Sequence, residues 1–416
     1  MKLKFKKPNF DYSMVSTAEW VLGYDREAPS DWRFKNWQGS RRRLDSPLSL
    51  YLGELERFTL DRGVTFDLAD TPEDSPHQYL ISKVAKENRL QDIMYLALER
   101  GVLTGAVYLF ARPDPQRFYR VYLFDESEVI KYPQNSGYDG YMVQVETQDG
   151  YERWGFTTQE YIEYLDSDNP GSEWVESKVT PHPYNQVPGV CIKNSIRDHS
   201  ENPVASVDWL ALELAIEIMG QTLTSAANYT FFGAPWFSSS QPDLTYEELI
   251  SRKQVLTGSQ DVGLQDTEIL SAPAMPDTHK DFLDRLVRNF CTHLRISWVP
   301  DTPPGDTSSL TLRLLYSKSI NTAQSYGETY LDCGFLRLMA KILDMAIVDS
   351  VVPNLEEPEI EVNYAYEVFP LTVAEKAQIL GVVEQMITLG IRTEIALGEY
   401  YPGQTEDQIR EKLLGA

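Results

Sequence analysis

The chain has 416 residues, of which 42% are hydrophobic, so it is long enough for two or three domains with substantial cores. Its formal net charge of −24 argues against a free-standing nucleic-acid-binding protein, which usually carries a basic surplus. No run of about 18 uncharged apolar residues and no secretory h-region is found, so neither a membrane span nor a leader is predicted. The 3 cysteines are scattered and odd in number, which favours a reducing compartment over a disulfide framework.

Charge is distributed unevenly along the chain. Residues 1–43 contain ten Lys and Arg against five Asp and Glu, whereas residues 132–180 contain ten acidic residues against Arg153 and Lys178. Like charges repel unless they are hydrated, so we expect the acidic stretch to form a solvated outward surface. The basic segment, which looks irregular up to residue 42, is predicted to be an N-terminal arm that either orders on a neighbouring chain or stays disordered.

Hydrophobic periodicity predicts helices and then strands in the first half of the chain. Apolar residues at helical spacing predict helices over 47–61, 77–86 and 90–101. Alternating apolar residues predict two strand pairs and therefore a β-rich lobe over residues 100–195. The strand pairs are 105–110 with 118–124 around Pro113-Asp114-Pro115, and 141–147 with 151–157 around Gln148-Asp149-Gly150.

Cap and breaker residues organise the second half. Asn202-Pro203 has the pattern of a cap followed by proline, which predicts a helix over 204–228. Glycine and proline punctuate 229–276, which indicates a small lobe of strands, turns and one short helix. The later predictions are a helix over 277–297, a Pro- and Gly-rich loop over 298–309, a bent helical stretch over 308–350, a strand over 359–369, a helix over 372–390 and a short helix over 405–414.

Signatures of catalysis are missing from the sequence. It lacks the patterns G-x-x-x-x-G-K-[ST], G-x-G-x-x-G and G-x-S-x-G, and its 5 histidines show no metal-ligand spacing. Asp166-Ser167-Asp168 offers ligands for a divalent cation, but in a run of acidic loop residues this pattern is more typical of a solvated turn. We therefore predict no enzymatic activity, no cofactor and no metal.

The order of these elements resembles the portal proteins, the head-to-tail connectors of tailed bacteriophages, over about residues 45–415. The helix, glycine and strand of 90–108 and the segment YNQVPGVCIKN at 184–194 are similar to segments that precede the family's stem. The segment 308–313 resembles the Ser-Gly-x-Ala-Leu-Lys start of a family helix, although Ser309 and Thr311 depart from it.

The resemblance implies an α+β, portal-like elongated subunit that assembles into a ring. The subunit would have a β-rich wing, a two-helix stem, a small clip, a tunnel loop and a short helical crown. The implied boundaries are 1–43 for the N-terminal arm, 44–201 and 310–369 for the two parts of the wing, 202–228 and 277–297 for stem helices one and two, 229–276 for the clip, 298–309 for the tunnel loop and 370–416 for the crown.

The function implied by the resemblance is a ring of about twelve subunits at one capsid vertex, the channel for DNA packaging and ejection. Implied partners are further copies of the chain, double-stranded DNA in transit, the terminase large subunit, a neck or tail adaptor protein and the major capsid protein, with no membrane partner. The implied location is the virion, after assembly in the host cytoplasm. The alternatives are another virion neck or minor capsid protein and an acidic cytoplasmic enzyme without a recognisable motif.

Three groups of candidate site residues follow from the resemblance. The second stem helix would line the DNA channel with Lys280, Arg285, Arg288 and Arg295. The alternative for this helix is a solvated face with local ion pairs such as that of Asp281 with Arg285. The tunnel loop would use Asp301, Thr302, Pro303, Pro304, Gly305 and Asp306. The clip interface would use Tyr229, Phe231, Phe232, Trp236 and Phe237, for which the alternative is a small local core.

Overall fold

The structure is a computed structural model, and the described residues are 2–3, 12–22, 46–61, 63–69, 72, 75–132, 136–169, 171–194, 205–232, 236–239, 267–270, 277–297, 309–355, 359–364, 373–390 and 392–398. The chain divides into two compact units. The first unit contains Met1–Phe10, Leu52–Ser206 and Arg295–Ala416. The second unit contains Asp11–Tyr51 and Val207–Leu294, so most of it is inserted into the sequence of the first.

Helices and antiparallel strands are both abundant, which confirms the predicted α+β class. The described helices are α1 (Tyr12–Val21), α2 (Pro47–Thr59), α3 (Pro76–Glu87), α4 (Leu90–Thr104), α5 (Trp209–Phe232), α6 (Asp277–His293), α7 (Ser309–Leu315), α8 (Ser317–Gly327), a π-helical segment (Glu328–Phe335), α9 (Leu336–Val348), α10 (Val373–Thr388) and α11 (Thr393–Gly398). The described strands are β1 (Lys2–Leu3), β2 (Val64–Leu68), β3 (Ala106–Asp114), β4 (Phe118–Asp125), β5 (Val129–Lys131), β6 (Gly140–Thr147), β7 (Gly150–Thr157), β8 (Glu160–Tyr164), β9 (Trp174–Pro181), β10 (Gly189–Lys193), β11 (Trp236–Ser239), β12 (Thr267–Leu270) and β13 (Ile360–Tyr364).

Several sequence predictions of local structure are wrong in their boundaries. The segment 1–42, predicted to be irregular, contains α1, which forms because Ala18, Trp20 and Val21 are buried. Strand β3 runs through Pro113 to Asp114, so the hairpin turn lies later than predicted. The helix predicted over 204–228 is α5, which begins five residues later and continues to Phe232.

Two packed sheets form the β-rich lobe of the first unit. One has the order β1-β9-β8-β7-β6-β5 and the other has the order β10-β3-β4. Phe110 stacks on Phe156 with ring centroids 4.3 Å apart, and Trp154 lies 6.0 Å from Phe124. Burying an aromatic side chain of this kind contributes about 1.5–3 kcal/mol, so the aromatic layer is the core of the lobe.

Side-chain amides cover the outer edges of two strands. Asn88, the C-cap of α3, accepts a hydrogen bond from the Val121 N–H (2.9 Å) and donates to the Tyr119 carbonyl (2.8 Å). Gln78 binds the outer edge of β2 in the same way, with both distances 3.0 Å. Because an open strand edge is a template for pairing with another chain, these amides restrict where such pairing can occur.

Helix α9 is fixed to the β-rich lobe by two charged side chains. Asp349 Oδ2, just after the helix, accepts hydrogen bonds from the hydroxyls of Tyr119 (2.8 Å) and Tyr184 (2.7 Å). Lys341 Nζ donates to the carbonyl of Gly189 at 2.8 Å. Hydrogen bonds to ionised groups are roughly twice as strong as neutral ones, so these contacts hold α9 firmly against the sheet.

A buried polar network surrounds Tyr330 in the π-helical segment. The Tyr330 hydroxyl donates to Asn194 Oδ1 (2.5 Å), and Asn194 Nδ2 donates to the Gly101 carbonyl and to Ser206 Oγ (3.3 Å). Burial raises the pKa of Tyr330 well above its usual value, so the hydroxyl keeps its proton as a donor. Since Asn194 and Ser206 flank residues 195–204, the network holds both ends of that segment together.

Gly101→Ala is expected to destabilise the protein by about 1–3 kcal/mol, because the added Cβ would overlap the Tyr330 hydroxyl. The measurement is the free energy of unfolding by chemical denaturation. Gly53→Ala is the matched control, since this glycine lies in α2 and has no atom within 4 Å of an added Cβ. The control should gain about 0.5–1 kcal/mol from helix propensity, and equal effects of the two substitutions would contradict the packing described.

Candidate functional site

Helices α5 and α6 form the centre of the second unit. They run antiparallel, because Asp208, just before α5, contacts His293 in the last turn of α6. Buried Ala211 and Ala215 lie one turn apart on α5, and small residues allow two helices to approach closely. The other buried apolar residues of the pair are Leu212, Ile218, Met219, Phe290, Cys291 and Leu294.

Asp208 has two structural roles at the junction of these helices. Its Oδ1 accepts from the Ala211 N–H at 2.9 Å, which makes it the N-cap of α5, and lies 2.8 Å from His293 Nε2. Burial raises the pKa of this carboxyl, but the hydrogen bonds from Ala211 and His293 outweigh burial, and the net pKa of Asp208 lies below its usual value. The carboxylate is therefore ionised at neutral pH and joins the two helices.

Three of the cations predicted to line a DNA channel lie on α6. Lys280, Arg285 and Arg288 are all exposed, whereas Phe290 of the same helix is completely buried. None of the three lies within ion-pair distance of a carboxylate among the residues that the structure describes. The Asp281–Arg285 pair, expected if the face carried only local ion pairs, does not form.

Arg295 differs from the other three predicted cations. The predicted helix over 277–297 ends at His293, and Arg295 follows it with a left-handed φ of 57°. Its side chain is exposed, but the residue belongs to the first unit, where its carbonyl accepts from Thr322 Oγ1 at 2.7 Å. The prediction that Arg295 lies on the second stem helix is therefore wrong, because the helix ends before it.

The predicted tunnel-loop residues, 301–306, lie outside the described residues. Ser309, the last residue of the loop predicted over 298–309, instead begins α7, and residues 298–308 lie outside the described residues. Its two flanks meet through paired serines: the Ser297 N–H donates to Ser319 Oγ (2.8 Å), and the Ser319 N–H donates to Ser297 Oγ (3.4 Å).

Glu54 completes this serine pair from α2. The Ser319 hydroxyl donates to Glu54 Oε2, and burial raises the pKa of the Glu54 carboxyl. Sequence reasoning missed all three residues, because contacts between distant segments leave no periodic signal. Through Ser319, the chain at Ser297 is therefore connected to α2.

The predicted clip residues fall on two different elements. Tyr229, Phe231 and Phe232 belong to the last turns of α5, so the start at residue 229 predicted for the small lobe is wrong. Trp236 and Phe237 belong to β11, which pairs antiparallel with β12 through Trp236↔Leu270 and Phe237↔Ile269. The two-stranded β11–β12 sheet agrees with the small strand-containing lobe predicted for 229–276.

The described part of the chain has neither a metal-ligand cluster nor a membrane-spanning helix. It contains no group of three or more His, Cys, Asp or Glu residues arranged to hold a metal ion. In the Asp166-Ser167-Asp168 segment, the Ser167 carbonyl accepts a hydrogen bond from the Tyr151 N–H at 2.8 Å, and these two residues form an isolated antiparallel β-bridge. None of the described helices is sufficiently long and apolar to cross a bilayer.

Asp208→Asn is expected to separate the charge of Asp208 from its capping role, because asparagine is an equally good N-cap. The depressed pKa of Asp208 means that its charge stabilises the fold above the unfolded pKa of about 3.9, and that this contribution disappears as pH falls through the folded pKa. Wild type should therefore exceed the asparagine variant in stability at pH 7 but not at pH 2, as measured by thermal unfolding across pH. Asp208→Ala should lose about 1 kcal/mol more than the asparagine variant at every pH, because it removes the cap. A difference between wild type and asparagine variant that grows toward low pH would contradict this assignment.

Comparison with known proteins places the chain in a family. The family model "Phage portal protein, SPP1 Gp6-like" matches residues 49–407. A chain from the virion of a native gene transfer agent (GTA) particle is similar, with 13% identity, a TM-score of 0.43 and coverage of 84% of this chain and 91% of that chain. A chain from the neck of the native GTA particle computed with C12 symmetry has 11% identity, a TM-score of 0.42 and coverage of 92% and 94%, respectively. No curated protein sequence matches.

The family match spans most of the length of this chain. The chain therefore belongs to the SPP1 Gp6-like family of phage portal proteins.

Proposed function

We propose that this portal protein forms a closed ring of about twelve subunits at one vertex of a phage-like capsid, and that DNA is packaged and ejected through the ring. Family membership is the observation that carries the proposal. The antiparallel α5–α6 pair supports it, since the two helices have the order and separation in the sequence expected for the two stem helices. The proposed location is the virion, after assembly in the host cytoplasm.

The charges of the chain suit a channel that passes DNA without retaining it. A subunit with a net charge of −24, repeated around a ring, produces a repulsive field that keeps a duplex away from the wall. Cations in the wall would offset this field, and each phosphate that they neutralise adds affinity. Lys280, Arg285 and Arg288 are suited to this role because they are exposed and not engaged with described carboxylates.

Other parts of the chain are assigned by the same proposal. The β11–β12 lobe, with Trp236 and Phe237, would dock the terminase large subunit and then a neck or tail adaptor protein. Residues 298–309 would line the narrowest part of the channel, and the outer surface of the ring would contact the major capsid protein. The protein would act structurally, and we expect purified rings to hydrolyse no ATP.

Ring formation is the first test of the proposal. Light scattering of the purified protein should give the mass of a particle of many subunits, and negative-stain images should show a ring with a central opening. Some ring proteins stay monomeric until assembly, so measurements are needed both in dilute buffer and under conditions that mimic capsid assembly. A monomer under both conditions would overturn the proposal.

Charge reversal on α6 tests the channel assignment. The triple variant Lys280→Glu, Arg285→Glu, Arg288→Glu should assemble normally but package roughly tenfold less DNA, because attraction to phosphate becomes repulsion. The matched control is the exposed triple Lys131→Glu, Lys318→Glu, Arg337→Glu, which makes the same change in net charge elsewhere. Equal packaging by the two triple variants would show that α6 does not line the channel.

A further inference from the structure

A group of cations lies where the end of α3 meets the β3–β4 hairpin in the first unit. We call it the cationic patch and define it as Lys83, Lys86, Arg89, Arg117 and Arg120. Lys86, Arg89 and Arg120 are exposed, and Lys83 and Arg117 are half-buried. The neighbouring Tyr79 side chain is 59% exposed, so the patch also presents an aromatic ring.

Contacts between α3 and β4 bring these cations together. Lys83 Nζ lies 4.5 Å from the centroid of the Phe118 ring at the start of β4. Asn88 binds the backbone of β4 on both sides of Arg120, at Tyr119 and Val121. Lys86 and Arg89 are close to Asn88 in the sequence, so their backbone lies near the edge of β4 that contains Arg120.

The cations of the patch form no ion pair within the described part of the chain, although exposed Glu87 follows Lys86 in the sequence. None of its five side chains lies within ion-pair distance of a described carboxylate. Asp114 is close in sequence, but its Oδ1 accepts from the backbone N–H groups of Gln116 (2.8 Å) and Arg117 (3.0 Å). In a protein with a net charge of −24, a group of unpaired cations on one surface points to a negatively charged partner.

A complementary surface exists elsewhere in the first unit. We call it the acidic end and define it as Glu146, Asp149, Asp166 and Asp168, all of which are exposed. The Tyr151 N–H donates to the Ser167 carbonyl at 2.8 Å, which joins the β6–β7 hairpin to the loop after β8 and brings the four carboxylates together.

Arg153 lies beneath the acidic end, and its side chain is only 1% exposed. The Arg153 guanidinium donates to Gln144 Oε1 and to the Asn169 carbonyl, both at 2.9 Å, and lies over the Trp174 ring. It therefore supports the loop from below, while the carboxylates of the acidic end face solvent.

We propose that the cationic patch of one subunit docks on the acidic end of the next subunit, an inference that rests on the ring proposed above. Every contact in a closed ring of more than two subunits joins two different surfaces of the same chain. Subunits that are strongly acidic overall repel one another, so assembly is favoured by local complementarity at the interface. DNA is the less favoured occupant, because a duplex that approaches the patch also meets the repulsion of the surrounding acidic protein.

Charge exchange tests this interface. The patch-reversed variant is Lys86→Glu, Arg89→Glu, Arg120→Glu, and the end-reversed variant is Glu146→Lys, Asp149→Lys, Asp166→Lys. Each variant alone should raise the protein concentration at which half of the chains are in rings by at least ~10-fold, because like charges then face each other. A chain that carries both sets should assemble as well as wild type.

A mixture of the patch-reversed and end-reversed chains tests directly whether the two surfaces meet through opposite charges. It should form rings in which the two chains alternate, because each inverted surface then meets one of opposite charge. The control triple Lys131→Glu, Lys318→Glu, Arg337→Glu should assemble like wild type. If the patch-reversed chain unfolds, as judged by circular dichroism, the neutral variant Lys86→Gln, Arg89→Gln, Arg120→Gln should still raise the concentration about threefold, since it loses attraction without adding repulsion.

The outcomes separate this inference from the proposed function. If wild type forms no ring, the proposed function fails whatever the variants do. If wild type forms rings and the reversed chains do so equally well, the ring stands and the interface is overturned. Failure of the chain with both sets of reversals to recover assembly also overturns it. Normal rings of the patch-reversed variant that bind duplex DNA more weakly than wild-type rings would identify DNA as the occupant and overturn docking between subunits.

Discussion

The hydrogen bonds of the Asn194 side chain hold together distant segments of the first unit. Its amide binds Tyr330, Gly101 and Ser206, which lie in segments far apart in the sequence. A buried polar group that loses its partner costs about 1–3 kcal/mol, so the network is stable only when complete. It forms because position 101 has no side chain, which leaves room for the Tyr330 hydroxyl. The chain consequently leaves the first unit after Ser206 from a fixed point.

Local signals predicted the elements that depend on local interactions. Helices α2, α3 and α4 follow from apolar spacing, and the β6–β7 hairpin follows from the turn at Gln148-Asp149-Gly150. The start of α5 could not be predicted in this way, since Asn202-Pro203 and Asp208 both have the chemistry of a cap. Helix α5 starts directly after Asp208, which contacts His293, 85 residues away in the sequence. Helix α1 was missed for a similar reason, because its buried face depends on tertiary packing.

The candidate site was predictable in composition but not in its contacts. Exposure of Lys280, Arg285 and Arg288 is consistent with their polar character on an amphipathic helix. The i,i+4 pair of Asp281 with Arg285 is absent because such an exposed pair is worth only about 0.3–0.5 kcal/mol, which hardly offsets the entropy of ordering two long side chains. Arg295 was misplaced because the end of α6 depends on its left-handed backbone, which sequence periodicity does not reveal.

Two segments of the first unit are each bounded by residues that hydrogen-bond to each other. Asn194 and Ser206 are joined on either side of 195–205, and Ser297 and Ser319 are joined on either side of 298–318. Once the ends of a segment are fixed, lengthening it adds only a slowly growing entropic cost, and its composition has little effect on the packing at its base. Helix α7 accordingly forms although Ser309 and Thr311 depart from the pattern of the portal family. In each case the joined residues are also anchored elsewhere in the first unit, because Asn194 binds the Gly101 carbonyl and Ser319 binds the Glu54 carboxyl.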